Sequence, residues 1–166
     1  MNNSDFMAYL AAPCQGQIHL VSINPDGSSE GRDFGTDVSR ATRWAETHWN
    51  EGKYVFWTIN KVRPGCNKRP SVSDIVEVRF IHFLACRRQA EEQAQVIQRV
   101  TAPKPPTAII VQGAGVNILW RVADTTLAAA CSANEAFERK YGGMPGSHAL
   151  NHLCPLPGYR SHGGAA

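Results

Sequence analysis

Four positively charged side chains lie close together in one polar stretch of the chain. The stretch runs from position 61 to position 70 and carries Lys61, Arg63, Lys68 and Arg69. Lysine and arginine side chains bind phosphate groups, so this stretch could contact a nucleic acid. A solvated basic loop that binds nothing explains the same residues equally well, and both interpretations stay open.

A second group of chemically capable residues lies near the end of the chain. His148, His152 and Cys154 form an H-x-x-x-H-x-C run, and His162 follows nearby. Imidazole and thiolate groups are typical ligands of transition metals. The spacing is irregular, however, and no predicted helix or strand presents the three side chains. We therefore expect a chance cluster in a loop rather than a metal site.

The stretch from Val78 to Arg88, V-R-F-I-H-F-L-A-C-R-R, is the predicted centre of the fold. Its aromatic and β-branched residues predict a buried strand that leads into a helix beginning near Gln89. In α/β sheets, ligands usually lie at the C-terminal end of such a strand. Here that end carries Leu84 and Cys86, and no Asp or Glu occurs from position 78 to position 90. We expect His82 to be a half-buried structural histidine and Cys86 to be a structural thiol.

The remaining elements are predicted from hydrophobic spacing and from turn residues. Helices are expected over 5–12, 38–50, 91–100 and 132–141, and strands over 17–24, 53–60, 107–112 and 116–122. Gly113-Ala114-Gly115 separates the last two strands and predicts a hairpin turn, although its glycines could equally let a phosphate approach the backbone. The fold class is therefore α/β (α+β), with a mixed, partly antiparallel central sheet flanked by helices.

Length and composition limit the class of protein. The 166 residues, 43% of them hydrophobic and 19% charged, fit one globular domain whose tail from 144 to 166 is rich in loops. The net charge of +3 permits a nucleic-acid partner without requiring one. No apolar run is long enough to cross a membrane, and the N-terminus does not look like a signal peptide. Five scattered cysteines favour reduced thiols, so we expect a cytoplasmic protein.

Four segments form a recognisable series along the chain. They are the strand and basic loop from Tyr54 to Ile75, the strand Val78–Arg88, the segment Pro105–Val122 (PPTAIIVQGAGVNILWRV), and the segment Asn151–Gly158 (NHLCPLPG). In this order they resemble the catalytic domain of archaeo-eukaryotic-type primases, and above all the branch found in plasmid RepB-type and phage or prophage helicase-primase proteins. The resemblance covers most of the chain and implies a primase-polymerase fold with an RRM-like core.

The resemblance also implies a function, which is template-directed nucleotide polymerisation with Mg²⁺ or Mn²⁺ held by carboxylates. The family strand ends in an Asp-x-Asp motif, and a third carboxylate precedes its Leu-Pro-Gly segment. The matching positions here are Leu84, Cys86 and Asn151. Mg²⁺ prefers oxygen ligands, and a thiolate is too soft for it. We therefore expect a catalytic centre without its metal ligands and no bound Mg²⁺ or Mn²⁺.

Binding residues follow from the same resemblance. The family's polar residue before its Trp strand matches Asn117, and the resemblance adds the turn glycines Gly113 and Gly115 and the strand-end Arg88 as nucleotide-binding residues. The four cations of the basic stretch are the candidate nucleic-acid-binding residues, with the solvated loop still an open alternative. The implied partners are single-stranded DNA or a nucleotide, together with a replicative helicase domain or protein, because family members usually continue beyond Leu-Pro-Gly. We accordingly expect position 166 to lie close to a truncation point.

Two functional hypotheses remain. The first is a degenerate primase domain that binds nucleotide or nucleic acid but does not polymerise. The second is an active nucleotidyltransferase that recruits other ligands, namely Asp74, Glu77 or the group of His148, His152 and Cys154. We favour the first, because metal-assisted nucleotidyl transfer tolerates the loss of its oxygen ligands poorly.

Overall fold

The computed structural model of the chain describes residues 3–11, 16–87 and 89–159. Its helices are α1 (Asn3–Ala11), α2 (Val38–Asn50), α3 (Ala90–Thr101) and α4 (Leu127–Tyr141), with a short 3-10 turn at Val72–Asp74. Its strands are β1 (His19–Ile23), β2 (Ser29–Asp33), β3 (Tyr54–Thr58), β4 (Lys61–Val62), β5 (Ile75–Glu77), β6 (Phe80–Cys86), β7 (Ala108–Gln112), β8 (Gly115–Arg121) and β9 (Leu153–Pro155). The backbone divides into two compact units, one built from the first 76 residues with the segment that starts at Leu153, and one from Glu77–His152.

The first unit contains a four-stranded antiparallel sheet in the order β2-β1-β3-β9. Strands β1 and β3 lie in the middle of this sheet and carry buried side chains such as Leu20 and Trp57. Helix α2 begins where Asp37 accepts a hydrogen bond from the backbone N–H of Arg40, at 3.0 Å. This N-cap satisfies one of the donors that a helix start leaves without a partner. The buried face of α2 then presents Trp44.

The second unit contains a three-stranded antiparallel sheet in the order β6-β8-β7. Phe83, Ile118 and Trp120 form part of its core, with Val96 and Val100 contributed by α3. Strands β7 and β8 form a hairpin in which Gln112 pairs with Gly115. The two residues between them begin with Gly113, whose φ of 56° is typical of a glycine in a tight hairpin turn. The predicted hairpin is confirmed.

Several elements differ from the sequence expectations. Helix α4 begins at Leu127 rather than near Ser132, because the side chain of Thr126 accepts a hydrogen bond from the backbone N–H of Ala129 and caps the helix there. Strands β2, β4, β5 and β9 were not predicted, and β9 lies inside the expected loop-rich tail. Strand β6, predicted to be the central strand, lies at the edge of its sheet, and β8 is in the middle. The mixed α+β class with flanking helices is confirmed. Within the described residues, no helix has the length and hydropathy needed to cross a membrane.

Candidate functional site

The end of β6 is the part of the second unit where the sequence predicts chemistry. Leu84 is buried and pairs with Asn117 of β8. Cys86 is exposed at the last position of the strand, and its Sγ lies 3.8 Å from Sδ of Met144. Alkyl and soft sulfur groups therefore occupy this strand end. They do not fit a two-metal Mg²⁺ or Mn²⁺ centre, which needs hard oxygen ligands.

Asn117 lies on the same face of the sheet as Leu84. Its neighbour on the other side is Ile110 of β7, and its own side chain is only 2% exposed. The buried Oδ1 atom has no hydrogen-bond partner among the described residues. A buried amide oxygen without a partner is costly, and such atoms usually bind an ordered water or a ligand group. Whether Asn117 binds a nucleotide stays a prediction.

The arginine after β6 has a structural role. Arg87 donates from Nη1 to the carbonyl oxygen of Cys86 at 2.7 Å and from Nη2 to that of Gly142 at 2.9 Å. Gly142 is the C-cap of α4, so the guanidinium group satisfies a carbonyl at the negative end of the helix dipole. The predicted nucleotide-binding residue Arg88 lies outside the described residues.

The glycine turn between β7 and β8 is held against the junction of β6 and α3. Gln93 donates from Nε2 to the carbonyl oxygens of Gly113, at 2.8 Å, and Arg87, at 2.7 Å. The backbone N–H of Arg87 donates in turn to the carbonyl oxygen of Ala114 at 2.7 Å. These bonds support the hairpin interpretation of Gly113 and Gly115. Phosphate binding by the two glycines remains a prediction.

His82 lies in a buried polar network beside the strand end. Its Nε2 donates to the carbonyl oxygen of Ser147 at 2.7 Å, and Nδ1 accepts from Nδ2 of Asn134 on α4 at 3.1 Å. Oδ1 of the same asparagine accepts from the backbone N–H of His82 at 2.8 Å. Burial lowers the pKa of His82 to about 4, so its ring is neutral near pH 7. The structural role is confirmed, although the side chain is fully rather than half buried.

The histidine and cysteine residues of the H-x-x-x-H-x-C run have separate environments. His148 places Nδ1 2.9 Å from Oε2 of Glu138, and the ring of His152 stacks on His82 with centroids 5.3 Å apart. Cys154 is buried in β9, where burial raises the pKa of its thiol to about 12. Within the ranges the structure covers, no three His, Cys, Asp or Glu side chains form a possible metal-binding group.

Glu138 organises the loop that follows α4. Its carboxylate accepts from the backbone N–H groups of Gly146 and His148, both at 3.1 Å. Burial raises the pKa of Glu138, but the hydrogen bonds from His148 and Gly146 outweigh that effect and lower it overall. The same loop donates from the backbone N–H of Met144 to the carbonyl oxygen of Leu84 at 2.8 Å. Asn151, the third position matched to a family carboxylate, lies in a turn of this unit and is half-buried.

The other candidate ligands, Asp74 and Glu77, lie around β5. Asp74 is buried, and its Oδ2 accepts from the backbone N–H of Ser71 at 2.8 Å and from its hydroxyl at 2.6 Å. Hydrogen bonds from Ser71 outweigh the effect of burial and lower the pKa of Asp74, with Arg63 and Lys68 adding further attraction. Asp74 is therefore occupied as a structural carboxylate. Glu77 is exposed on β5.

The basic loop, defined as residues 61–70, belongs to the first unit. Lys61 is half-buried in β4, and Arg63, Lys68 and Arg69 are exposed. Nε of Arg63 lies 2.7 Å from Oδ1 of Asp74, so its charge is balanced by a buried carboxylate. The sequence groups all four cations as candidate phosphate contacts. In the structure Arg63 is paired with Asp74 and Lys61 is half-buried, whereas Lys68 and Arg69 are exposed.

Sequence reasoning missed the residues that hold the candidate site residues in place. Asn134 and Glu138 lie on a helix whose pattern indicated only which side is buried. A buried amide in a helix interior is a usable signal, because such groups nearly always have hydrogen-bond partners. Their partners lie on other elements and cannot be identified from spacing. Gly31, which touches the basic loop, gave no signal at all.

No protein-family model matches the chain, and no curated protein matches it significantly in sequence. Solved structures do match. The catalytic domain of primase RepB′ in complex with initiator DNA has a TM-score of 0.62 and 15% identity, covering 95% of this chain and 78% of that one. The AEP domain of the cyanophage S-2L primase-polymerase has a TM-score of 0.69 and 10% identity, covering 92% and 80%.

A structure of primase RepB′ matches with a TM-score of 0.64 and 15% identity, and this chain spans 50% of its length. At such low identities the likeness concerns the fold alone. The chain has the primase-polymerase fold, as its four segments predicted.

Proposed function

We propose that this chain is a primase-like domain of a plasmid, phage or prophage replication protein that binds nucleotide or nucleic acid and does not polymerise. The observation that carries the proposal is the chemistry at the end of β6. In a primase-polymerase fold, the positions matched to the family's metal-binding carboxylates are Leu84, Cys86 and Asn151. None of them supplies a charged oxygen ligand.

Nucleotide joining depends on charged protein groups that hold metal ions beside the substrate. Joining nucleotides requires metal ions that help to ionise the attacking hydroxyl and that neutralise the triphosphate. Mg²⁺ loses its water ligands reluctantly and needs carboxylates to hold it beside the substrate phosphates. A leucine methyl group offers no donor atom, and the amide of Asn151 carries no charge. The site as it stands therefore lacks the means to concentrate Mg²⁺ or Mn²⁺.

Retained binding is supported by different residues. The exposed Lys68 and Arg69 can contact phosphates, and each such contact releases counterions from the nucleic acid. We propose single-stranded DNA or a nucleotide as the ligand and a replicative helicase as a protein partner. RepB′ was seen with initiator DNA, which makes single-stranded and initiator-like oligonucleotides the natural first probes.

The deciding experiment is primer synthesis and extension on single-stranded DNA with Mg²⁺ or Mn²⁺. The native chain is assayed beside a triple variant, Leu84→Asp, Cys86→Asp and Asn151→Asp. A matched control, Leu84→Asn with Cys86→Asn, introduces polar side chains of similar size without charge. We expect activity only in the triple variant. Activity of the native chain would refute the proposal.

An active nucleotidyltransferase with other ligands is the alternative. The hydrogen bonds of Asp74, the hydrogen bond between His148 and Glu138, and the burial of Cys154 count against these residues as metal ligands. Glu77 is exposed on β5, and the alternative is tested at this carboxylate. If the native chain makes primers and Glu77→Gln abolishes that activity while Glu77→Asp retains part of it, the alternative replaces the proposal.

A further inference from the structure

The basic loop lies along the edge of the four-stranded sheet. Strand β2 is the edge strand, and the backbone N–H of its Gly31 donates to the carbonyl oxygen of Asn67 at 2.8 Å. Two residues later in the loop, the backbone N–H of Arg69 donates to Oγ of Ser29, which lies two residues before Gly31 in β2, at 3.3 Å. The loop thus occupies hydrogen-bonding groups that an edge strand otherwise exposes.

Gly31 allows this approach because it has no side chain. A Cβ atom at this position would lie 2.5 Å from the carbonyl oxygen of Lys68 and 2.9 Å from its backbone nitrogen. Both are backbone atoms, so a rotamer change cannot relieve the collision. Close approach of another backbone is a recognised reason for glycine in a strand. Any other residue at position 31 must push the loop away from β2.

Two further side chains hold the loop from the interior of the first unit. Gln17 donates from Nε2 to the carbonyl oxygen of Val62 at 3.1 Å, and its Oε1 accepts from the backbone N–H of Val62 at 3.0 Å. Nε2 of His19 lies 3.0 Å from the carbonyl oxygen of Cys66. Both side chains are buried. The backbone of the loop is therefore fixed at several points before any ligand is present.

The cations of this fixed loop differ in their surroundings. Besides its ion pair, Arg63 donates its backbone N–H to the carbonyl oxygen of Asp74 at 2.8 Å. The side chain of Asp74 is 4% exposed, so the arginine balances a buried charge. Lys68 and Arg69 are exposed neighbours on the segment that rests on Gly31. Lys68 adds a weaker attraction to Asp74, whereas Arg63 contacts that carboxylate directly.

We infer that Gly31 is a positioning residue that presents Lys68 and Arg69 as a pre-formed pair of phosphate contacts for single-stranded nucleic acid, whereas Arg63 belongs to the framework of the loop. The inference rests on the nucleic-acid binding proposed above. A fixed loop binds more tightly than a mobile one, because less conformational entropy is lost on binding.

The test measures the binding of a fluorescently labelled oligothymidylate by anisotropy at several salt concentrations. Replacing Lys68 and Arg69 together by glutamine should weaken binding about tenfold or more, and should reduce the slope of log affinity against log salt by about 1.4. Gly31→Ala should weaken binding and reduce the salt slope, although it removes no charge. Arg32→Lys preserves the charge at an exposed position of the same strand. This control should leave the affinity and the salt slope unchanged. Arg63→Gln should lower the melting temperature and leave the salt slope unchanged.

The outcomes separate the inference from the proposed function. If the double glutamine variant binds as tightly as the native chain, the loop is not the nucleic-acid surface, so the inference fails while nucleic-acid binding stands. If the native chain itself does not bind the oligothymidylate, the proposed nucleic-acid binding fails. If the double variant loses binding while folded Gly31→Ala does not, the positioning role of Gly31 is refuted and nucleic-acid binding stands. A reduced salt slope in Arg63→Gln would refute the framework role of Arg63.

A second measurement avoids any variant that fails to fold. In the native chain, the amide hydrogen of Gly31 should exchange slowly with solvent, because it is bonded to Asn67. Exchange at the rate of an unbonded surface amide would show that the loop does not rest on β2, and would overturn the inference.

Discussion

Acidification should destabilise this protein through His82, and the size of the effect follows from its burial. The neutral ring is held by Ser147 and Asn134, and burial lowers the pKa from 6.5 to about 4. Because the unfolded chain binds this proton near pH 6.5 and the folded chain does not, folding stability falls as the pH falls between these two values. Between pH 7 and pH 5 the loss from this one residue is about 2 kcal/mol.

The assay is urea unfolding at pH 7, 6 and 5, followed by tryptophan fluorescence. The native chain is compared with His82→Gln, which cannot be protonated in this range, and with Ser132→Ala, an exposed change on α4. The glutamine variant should be less stable at pH 7 but should lose about 2 kcal/mol less than the native chain on going to pH 5. The alanine control should follow the native chain. Equal pH dependence in the native chain and in His82→Gln would refute the reasoning.

Two further predictions concern buried amides. Asn134→Ala removes hydrogen bonds to the backbone and ring of His82 and should cost about 3 kcal/mol in urea unfolding, whereas Ser132→Ala should change stability by less than about 0.5 kcal/mol. Asn117→Leu replaces an amide whose buried oxygen has no partner among the described residues, between Leu84 and Ile110, and should raise stability by about 1 kcal/mol. A clear loss of stability in Asn117→Leu would instead mean that a bound water satisfies the amide.

Short sequence patterns predicted the elements that are stabilised by interactions between residues close together in the chain. The β6 strand follows from an apolar run that only His82 interrupts, and the β7–β8 hairpin follows from Gly113, which takes the positive φ that the turn requires. Helix α2 begins after Asp37 because the side chain of Asp37 can reach a free backbone N–H at the start of the helix. In each case the sequence signal and the stabilising interaction lie within a few residues of each other.

Strand β2 was not predictable in the same way. Its sequence, S-E-G-R-D, contains no hydrophobic residue and no alternation. It is a strand because β1 pairs with one side of it and the basic loop covers Gly31 on the other. Strand β9 is only three residues long and contains Pro155, which is tolerated because this strand lies at the edge of its sheet.

The candidate site was predicted by position but not by environment. The resemblance located Leu84 and Cys86 at the end of a strand predicted to be central, and Asn117 on the strand after the glycine turn. In the structure β6 is an edge strand, and its register with β8 pairs Leu84 with Asn117. The partners of His82 come from residues 52 and 65 positions away along the chain. Hydrogen bonds between residues so far apart in the chain leave no periodic pattern in the sequence, so spacing cannot identify them.

The bonds that Asn134 and Met144 make to β6 also affect how this protein behaves at high concentration. Strand β6 lies at an edge of its sheet, where a second chain could add a strand and start aggregation. The backbone N–H of His82 is bonded to Asn134, however, and the carbonyl oxygen of Leu84 is bonded to Met144. Helix α4 and the loop after it thus block strand addition next to Leu84 and Cys86. Changes of side chain at Leu84 and Cys86 leave this protection in place, because it depends on backbone groups.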